Sequence, residues 1–324
     1  MRRSPATRPA TYFRSRGRRS DPPGLLFVVS GERSLFDLGR DALDAIEVPL
    51  FEKHFGLPAK RELVREILHE LALRSKLRGA GRFCLLSAAF ARLRALGCAG
   101  FAPLRETAAQ LEAWLRTTGQ ATTAGLAGTL VREPGAARRL GRVLAWSRDL
   151  DRGYLGWGAC SLREACVEVL RGLPRQVELV VAASLPAPLV AKAFREGLPT
   201  RFPHRIWESG GVDRITLLAG HVGLSRALSQ EELGSQPRHR GERILVIGDS
   251  LHDLSLARSL GARFHPLVPG REESGWASLG GTSLSTFIAG GIPSSGELGR
   301  FLGAFREPLS GSGASPRPGL EPPR

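Results

Sequence analysis

The chain has 324 residues, of which 42% are hydrophobic, enough to bury a full core, so a disordered protein is excluded. No window approaches the ~20 consecutive apolar residues of a membrane span, and the apolar run after the Arg-rich amino terminus is too short for a signal-peptide core, so a cytoplasmic, non-membrane protein is expected. The net charge of +15 comes from 42 arginines and only four lysines, and this arginine bias, as natural to a GC-rich genome as to a binding surface, argues against nucleic acid as the main partner.

Residues 1–23 form a Pro/Ser/Arg tail without periodicity, and seven arginines fall within 2–19. A flexible basic arm is expected there. Gly24-Leu-Leu-Phe-Val-Val29 then reads as a short buried strand entering the polar loop Ser30-Gly-Glu-Arg-Ser34.

From residue 38 to 165 the pattern turns helical. Leu63, Val64, Ile67, Leu68 and Leu71 form one stripe at helical spacing. The segments 82–96, 104–115, 136–146 and 161–170 repeat the theme between Gly or Pro breaks. Cys84, Cys98, Cys160 and Cys166 show neither a C-x-x-C pair nor a neighbouring His at zinc spacing, so reduced thiols are expected.

Strand character returns at Val177–Ala183, followed by Ser184 and a helix starting near Pro186. A strand at 204–207, a helix at 222–228, a strand at Ile244–Ile247, a helix over 254–260 closed by Gly261 and a strand from Arg263 complete the series. Strands alternating with helices predict an α/β fold with a doubly wound parallel sheet. The helical block is then an insertion after the first strand: core at 24–37 and 166–308, helical cap at 38–165, and a Gly/Ser/Pro-rich disordered tail at 309–324.

The chemistry-bearing stretch is Gly248-Asp-Ser-Leu-His-Asp253. Asp249 stands at the carboxyl end of a strand, and Asp253 lies in the first turn of the next helix. Ligands of open α/β sheets bind outside those strand ends, and two acids there suggest a cation. The same residues also serve as a turn residue and a favourable charge at a helix amino end.

With these elements in place, the chain resembles the haloacid dehalogenase superfamily, a Rossmannoid core with a helical cap, over residues 24–280. The resemblance implies that Asp249 and Asp253 hold Mg²⁺ and that Ser184 hydrogen-bonds a phosphoryl group. Ser184 reads equally well as a helix N-cap. The resemblance also implies a small phosphorylated metabolite as substrate.

The family's first motif is D-x-D-x-T, in which the first Asp attacks phosphorus and the second is acid and base. Aligned on the first strand, it places Ser30 at the nucleophile, Glu32 at the acid/base and Ser34 at the Thr. A frame shifted to Asp37 restores an Asp but has no strand before it. The third motif's Lys has no counterpart in residues 219–231, where His221, with Arg226 a turn further on, is the nearest substitute.

A serine has no charge for Mg²⁺ and is a poor nucleophile without a base. The sequence therefore predicts a pocket of phosphate and Mg²⁺ type with a degenerate, weakly active or non-catalytic residue set. The alternatives are an active Mg²⁺-dependent phosphatase and a binder of nucleic acid or acidic surfaces acting through the tail. Arg271, Glu272 and Glu273 follow the last strand at the same carboxyl edge as Asp249 and are within reach of the site. The favoured expectation is a solvated loop and first helical turn, with Trp276 packed beneath.

Overall fold

A computed structural model of the chain describes residues 25–36, 38, 40–57, 60–98, 100–118, 121–157, 161–174, 177–199, 203, 205–208, 243–289 and 296–305. Both terminal tails, the predicted helix at 222–228 and Cys160 lie outside them, as do Asp37 and His221.

Five strands form the sheet: the apolar runs β1 (Leu25–Ser30), β2 (Val177–Ala183) and β4 (Ile244–Gly248), with the shorter, more polar β3 (Arg205–Glu208) and β5 (Arg263–Pro266) at its edges. Their order is β3-β2-β1-β4-β5 and every pairing is parallel. The chain winds outward from β1 in both directions, so the strand order reverses there. This is the switch point outside which ligands bind in open α/β sheets.

The period of two along each strand divides the core. Phe27, Val29, Leu179, Val181, Leu245 and Ile247 face one cluster, while Val28, Val180, Ile244 and Val246 face another with Leu256, Ala257 and Leu260. The expected α/β parallel sheet is therefore present, buried on both faces.

Between β1 and β2 the chain is helical: α1 (Glu32–Leu35), α2 (Arg40–Ala42), α3 (Val48–Phe55), α4 (Arg61–His69), α5 (Arg82–Ala95), α6 (Arg105–Thr117), α7 (Thr123–Arg132), α8 (Pro134–Gly156) and α9 (Glu164–Gly172). Two π segments, Leu43–Glu47 and Glu70–Arg74, interrupt the α-helical ladder. The long α8 packs against α3, α6 and α7. Phe51, Phe55, Phe83, Phe90, Trp114 and Trp146 fill the space between these helices with edge and tilted ring contacts.

This aromatic core is continuous with the β1–β2–β4 face of the sheet, so the helical block rests directly on the strands. After β2 come α10 (Ala187–Gly197), α11 (Leu251–Ser259), α12 (Glu272–Ser278), α13 (Leu284–Ile288) and α14 (Gly296–Ala304). Among the described residues Cys84, Cys98 and Cys166 form no disulfide. No helix among the described residues is long and apolar enough to cross a membrane.

The exit from β1 is tight. Gly31 N–H donates to the Ala182 carbonyl at 2.7 Å, and a Cβ on Gly31 would collide with the Cβ of Ala183. Glycine is thus what lets α1 start directly at the strand end. Gly31→Val is expected to destabilise the fold by about 1–3 kcal/mol through overpacking, read as a lower urea midpoint at unchanged slope.

Candidate functional site

Three strand ends meet at the switch point: Ser30 closes β1, Ser184 follows β2 and Asp249 follows β4. Ser30 and Asp249 are both buried. Of the other expected site residues, the Glu32 side chain and His221 fall outside the described residues. α1 carries Arg33 and Ser34 into the same place.

Asp249 has three protein donors. Ser34 Oγ donates to Oδ1 at 3.2 Å, Arg78 Nε donates to Oδ2 at 2.7 Å, and Arg78 Nη2 donates to Oδ2 as well. Arg78 is itself buried, and its Nη2 also reaches Glu272 Oε1 at 2.7 Å. Its Nη1 donates to the Leu73 carbonyl at 3.0 Å. That carbonyl belongs to the π segment Glu70–Arg74, where Ser75 N–H bonds back to Glu70 at 2.9 Å. Widened turns of this kind recur at functional sites.

The loop that delivers Arg78 depends on its next residue. Gly79 has φ +77°, and a Cβ there would press into the Ser250 side chain. Glycine alone tolerates both the left-handed backbone and the close approach. The Arg78-Gly-Ala-Gly-Arg82 stretch is therefore a structural turn flanked by two working arginines.

Glu272 differs from expectation. It is 7% exposed rather than in the favoured solvated loop, and takes the alternative position that reaches the site. Arg78, the Gly270 N–H at 2.9 Å and Arg163 Nη2 at 3.9 Å surround its carboxylate and supply the charge that burial requires. Glu273 stays half exposed and pairs with Arg163 at 3.6 Å. Trp276 is fully buried as expected, and its indole N–H donates to the Ser34 carbonyl at 2.6 Å.

Asp253 is placed by its own helix. Ser250 caps α11: its Oγ accepts from Asp253 N–H at 3.2 Å and donates to Asp253 Oδ2 at 2.6 Å. The carboxylate lies so close behind β4 that a Cβ on Gly248 would strike it. The geometry matches the helix-terminus reading of Asp253. Ser184 is not a helix cap, because the N-cap of α10 is Pro186. The Ser184 carbonyl accepts Arg82 Nη2 at 2.7 Å.

Mg²⁺ needs hard oxygens free to coordinate. Both Asp249 oxygens and Asp253 Oδ2 already accept protein donors. Among the described residues no group of three His, Cys, Asp or Glu side chains is arranged to hold a metal. The arrangement does not fit a resident Mg²⁺ unless Arg78 withdraws; as described, the cation against Asp249 is a guanidinium.

Burial alone would push the Asp249 carboxyl up. The charge and hydrogen bonds of Arg78, helped by Arg33 and Ser34, outweigh burial and hold it below its ordinary value. Burial works against Arg78's charged form, but Asp249 and Glu272 overcome it and raise the guanidinium further.

Beside this pair lies a cavity lined by Arg33, Glu47, Arg82, Tyr154 and Ser184, with leucines, two alanines and Gly79 on the remaining walls. Its volume is about 50 Å³, room for a few waters. Arg82 is anchored to Asp151 at 2.6 Å, and Tyr154 donates to Glu47 at 2.5 Å. Arg33, Arg78 and Arg82 escaped the sequence reading. The one available signal was the pair of arginines flanking Gly79-Ala-Gly81.

Compared with known protein families and with curated proteins, the sequence matches none.

Arg78→Ala strips the buried Asp249 carboxylate of its main counter-charge, leaves Glu272 with the charge of Arg163 alone, and is expected to cost about 3–5 kcal/mol. Because the folded Asp249 value lies below the unfolded one, its stabilisation is present above the ordinary carboxylate range and is lost as pH falls through the folded value. In denaturant titrations across pH, the gap between wild type and Arg78→Ala should therefore narrow on acidification below that range. A gap that stays constant would disprove the coupling.

Proposed function

We propose that this chain is a haloacid dehalogenase-like protein that uses its crevice as an anion-binding pocket, with a catalytic set too degenerate for efficient phosphoryl transfer. One observation carries this reading: Arg78 occupies the carboxylate that the family's chemistry would give to Mg²⁺. A second agrees with it. Ser30 closes β1 where an attacking carboxylate would stand, and a serine hydroxyl brings no negative charge to that position.

In this reading the protein supplies its own positive charge. Arg78 neutralises Asp249, and Arg33 and Arg82 face the cavity where a substrate's anionic group would sit. Guanidinium groups suit carboxylate and phosphate because their donors lie in one plane. Mg²⁺ enters only as the competing reading, an active phosphatase in which Arg78 swings away and Asp249 and Asp253 take the metal.

Phosphate release from an aryl phosphate and a panel of phosphorylated metabolites separates the two. With and without Mg²⁺, wild type is expected to stay at the rate of buffer. Metal-dependent turnover that disappears in Asp249→Ala would overturn the proposal.

A further inference from the structure

The crevice contains one cationic side chain, Arg33, that feels the charge of Asp249 but makes no hydrogen bond or close ion pair with the described residues. Its Nε is shut off from solvent without an acceptor. A buried donor left unmade costs about 1–3 kcal/mol, so such groups point to water or to a ligand.

Arg33 is held in place. Arg163 Nε donates to its carbonyl at 3.0 Å, and Gly31 fixes the start of its helix against Ala183. Its side chain lines the cavity together with Arg82, whose Nη1 is committed to Asp151 at 2.6 Å and Ser147 at 3.0 Å. Arg82 therefore adds charge with Nη1 already engaged, while Arg33 Nε still lacks an acceptor.

The cavity also has an acidic end. Glu47 Oε1 accepts the Tyr154 hydroxyl at 2.5 Å, and burial, reinforced by Glu47, holds the phenol well above its ordinary value. Tyr154 thus remains a donor and Glu47 an acceptor, with Oε2 left over. Opposite charges on the lining, with leucine walls, match a ligand that is itself bifunctional.

We propose that this cavity binds a short oxyanion, a carboxylate or a phosphate, through Arg33, with a hydroxyl or ammonium of the same molecule on Glu47. The assignment rests on the reading of the crevice as a binding pocket and names its ligand class.

Calorimetric titration without metal tests it, using acetate and inorganic phosphate beside their amine-bearing counterparts 3-aminopropionate and phosphoethanolamine. The carboxylate and phosphate arms decide which oxyanion fits. At least one amine-bearing probe should bind one to one and more tightly than its simple anion. Arg33→Gln should weaken it by about tenfold or more, and Arg33→Lys, which keeps charge but loses the fork, should fall between. Glu47→Gln should erase the preference for the amine.

Arg33 has no hydrogen bond or close ion pair among the described residues to lose, only a longer-range attraction to Asp249, so its variants should melt close to wild type. The site is overturned if no probe binds at millimolar concentration, or if Arg33→Gln binds as wild type does. Release of phosphate from phosphoethanolamine by wild type would instead sink the non-catalytic reading and leave the site standing.

Discussion

The buried ion pair between Arg78 and Asp249 is the interaction on which the rest depends. It ties a loop of the helical block to the carboxyl end of β4 across 171 positions of sequence. Desolvating both charges is costly, and their attraction repays it only when the remaining donors and acceptors are also satisfied. Ser34, Glu272 and the Leu73 carbonyl meet that condition. Each of these comes from a different element, so the pair specifies how block and sheet fit together.

That fit shapes the crevice. The continuous apolar core brings the block down onto one sheet face, and the π segments adjust its helices locally. Leu43–Glu47 places Glu47 in the cavity lining, and Glu70–Arg74 frees the Leu73 carbonyl for Arg78. Gly31 and Gly79 supply the two close approaches that side chains would prevent. The result is a small pocket rich in arginine beside an acid that is already neutralised.

The sheet was legible in the sequence because β-branched runs such as Val177–Ala183 and Ile244–Ile247 are buried on both faces and read as unbroken apolar stretches. The place of Asp249 was legible for the same reason, since it ends such a run. The helix at Thr123–Arg132 was missed because Gly125 and Gly128 blur its stripe, and α8 proved longer than its apolar periodicity suggested. Arg78 was illegible, because a charged residue in a glycine-flanked loop looks solvated until a partner from a distant segment covers it, and Glu272 was legible only as the less favoured alternative to a solvated loop. The roles of Asp253 and Ser184 depended on local geometry that residue type leaves open.

A chain with acids at its strand ends can recruit a metal there or answer them from within, and here Arg78 answers Asp249. The most direct measurement is a calorimetric titration of wild type and Arg78→Ala with Mg²⁺. Wild type should show no binding at millimolar Mg²⁺, and Arg78→Ala, if it retains its fold, should acquire binding that Asp249→Asn in the same background removes. Stoichiometric Mg²⁺ binding by wild type, abolished by Asp249→Asn alone, would contradict the account.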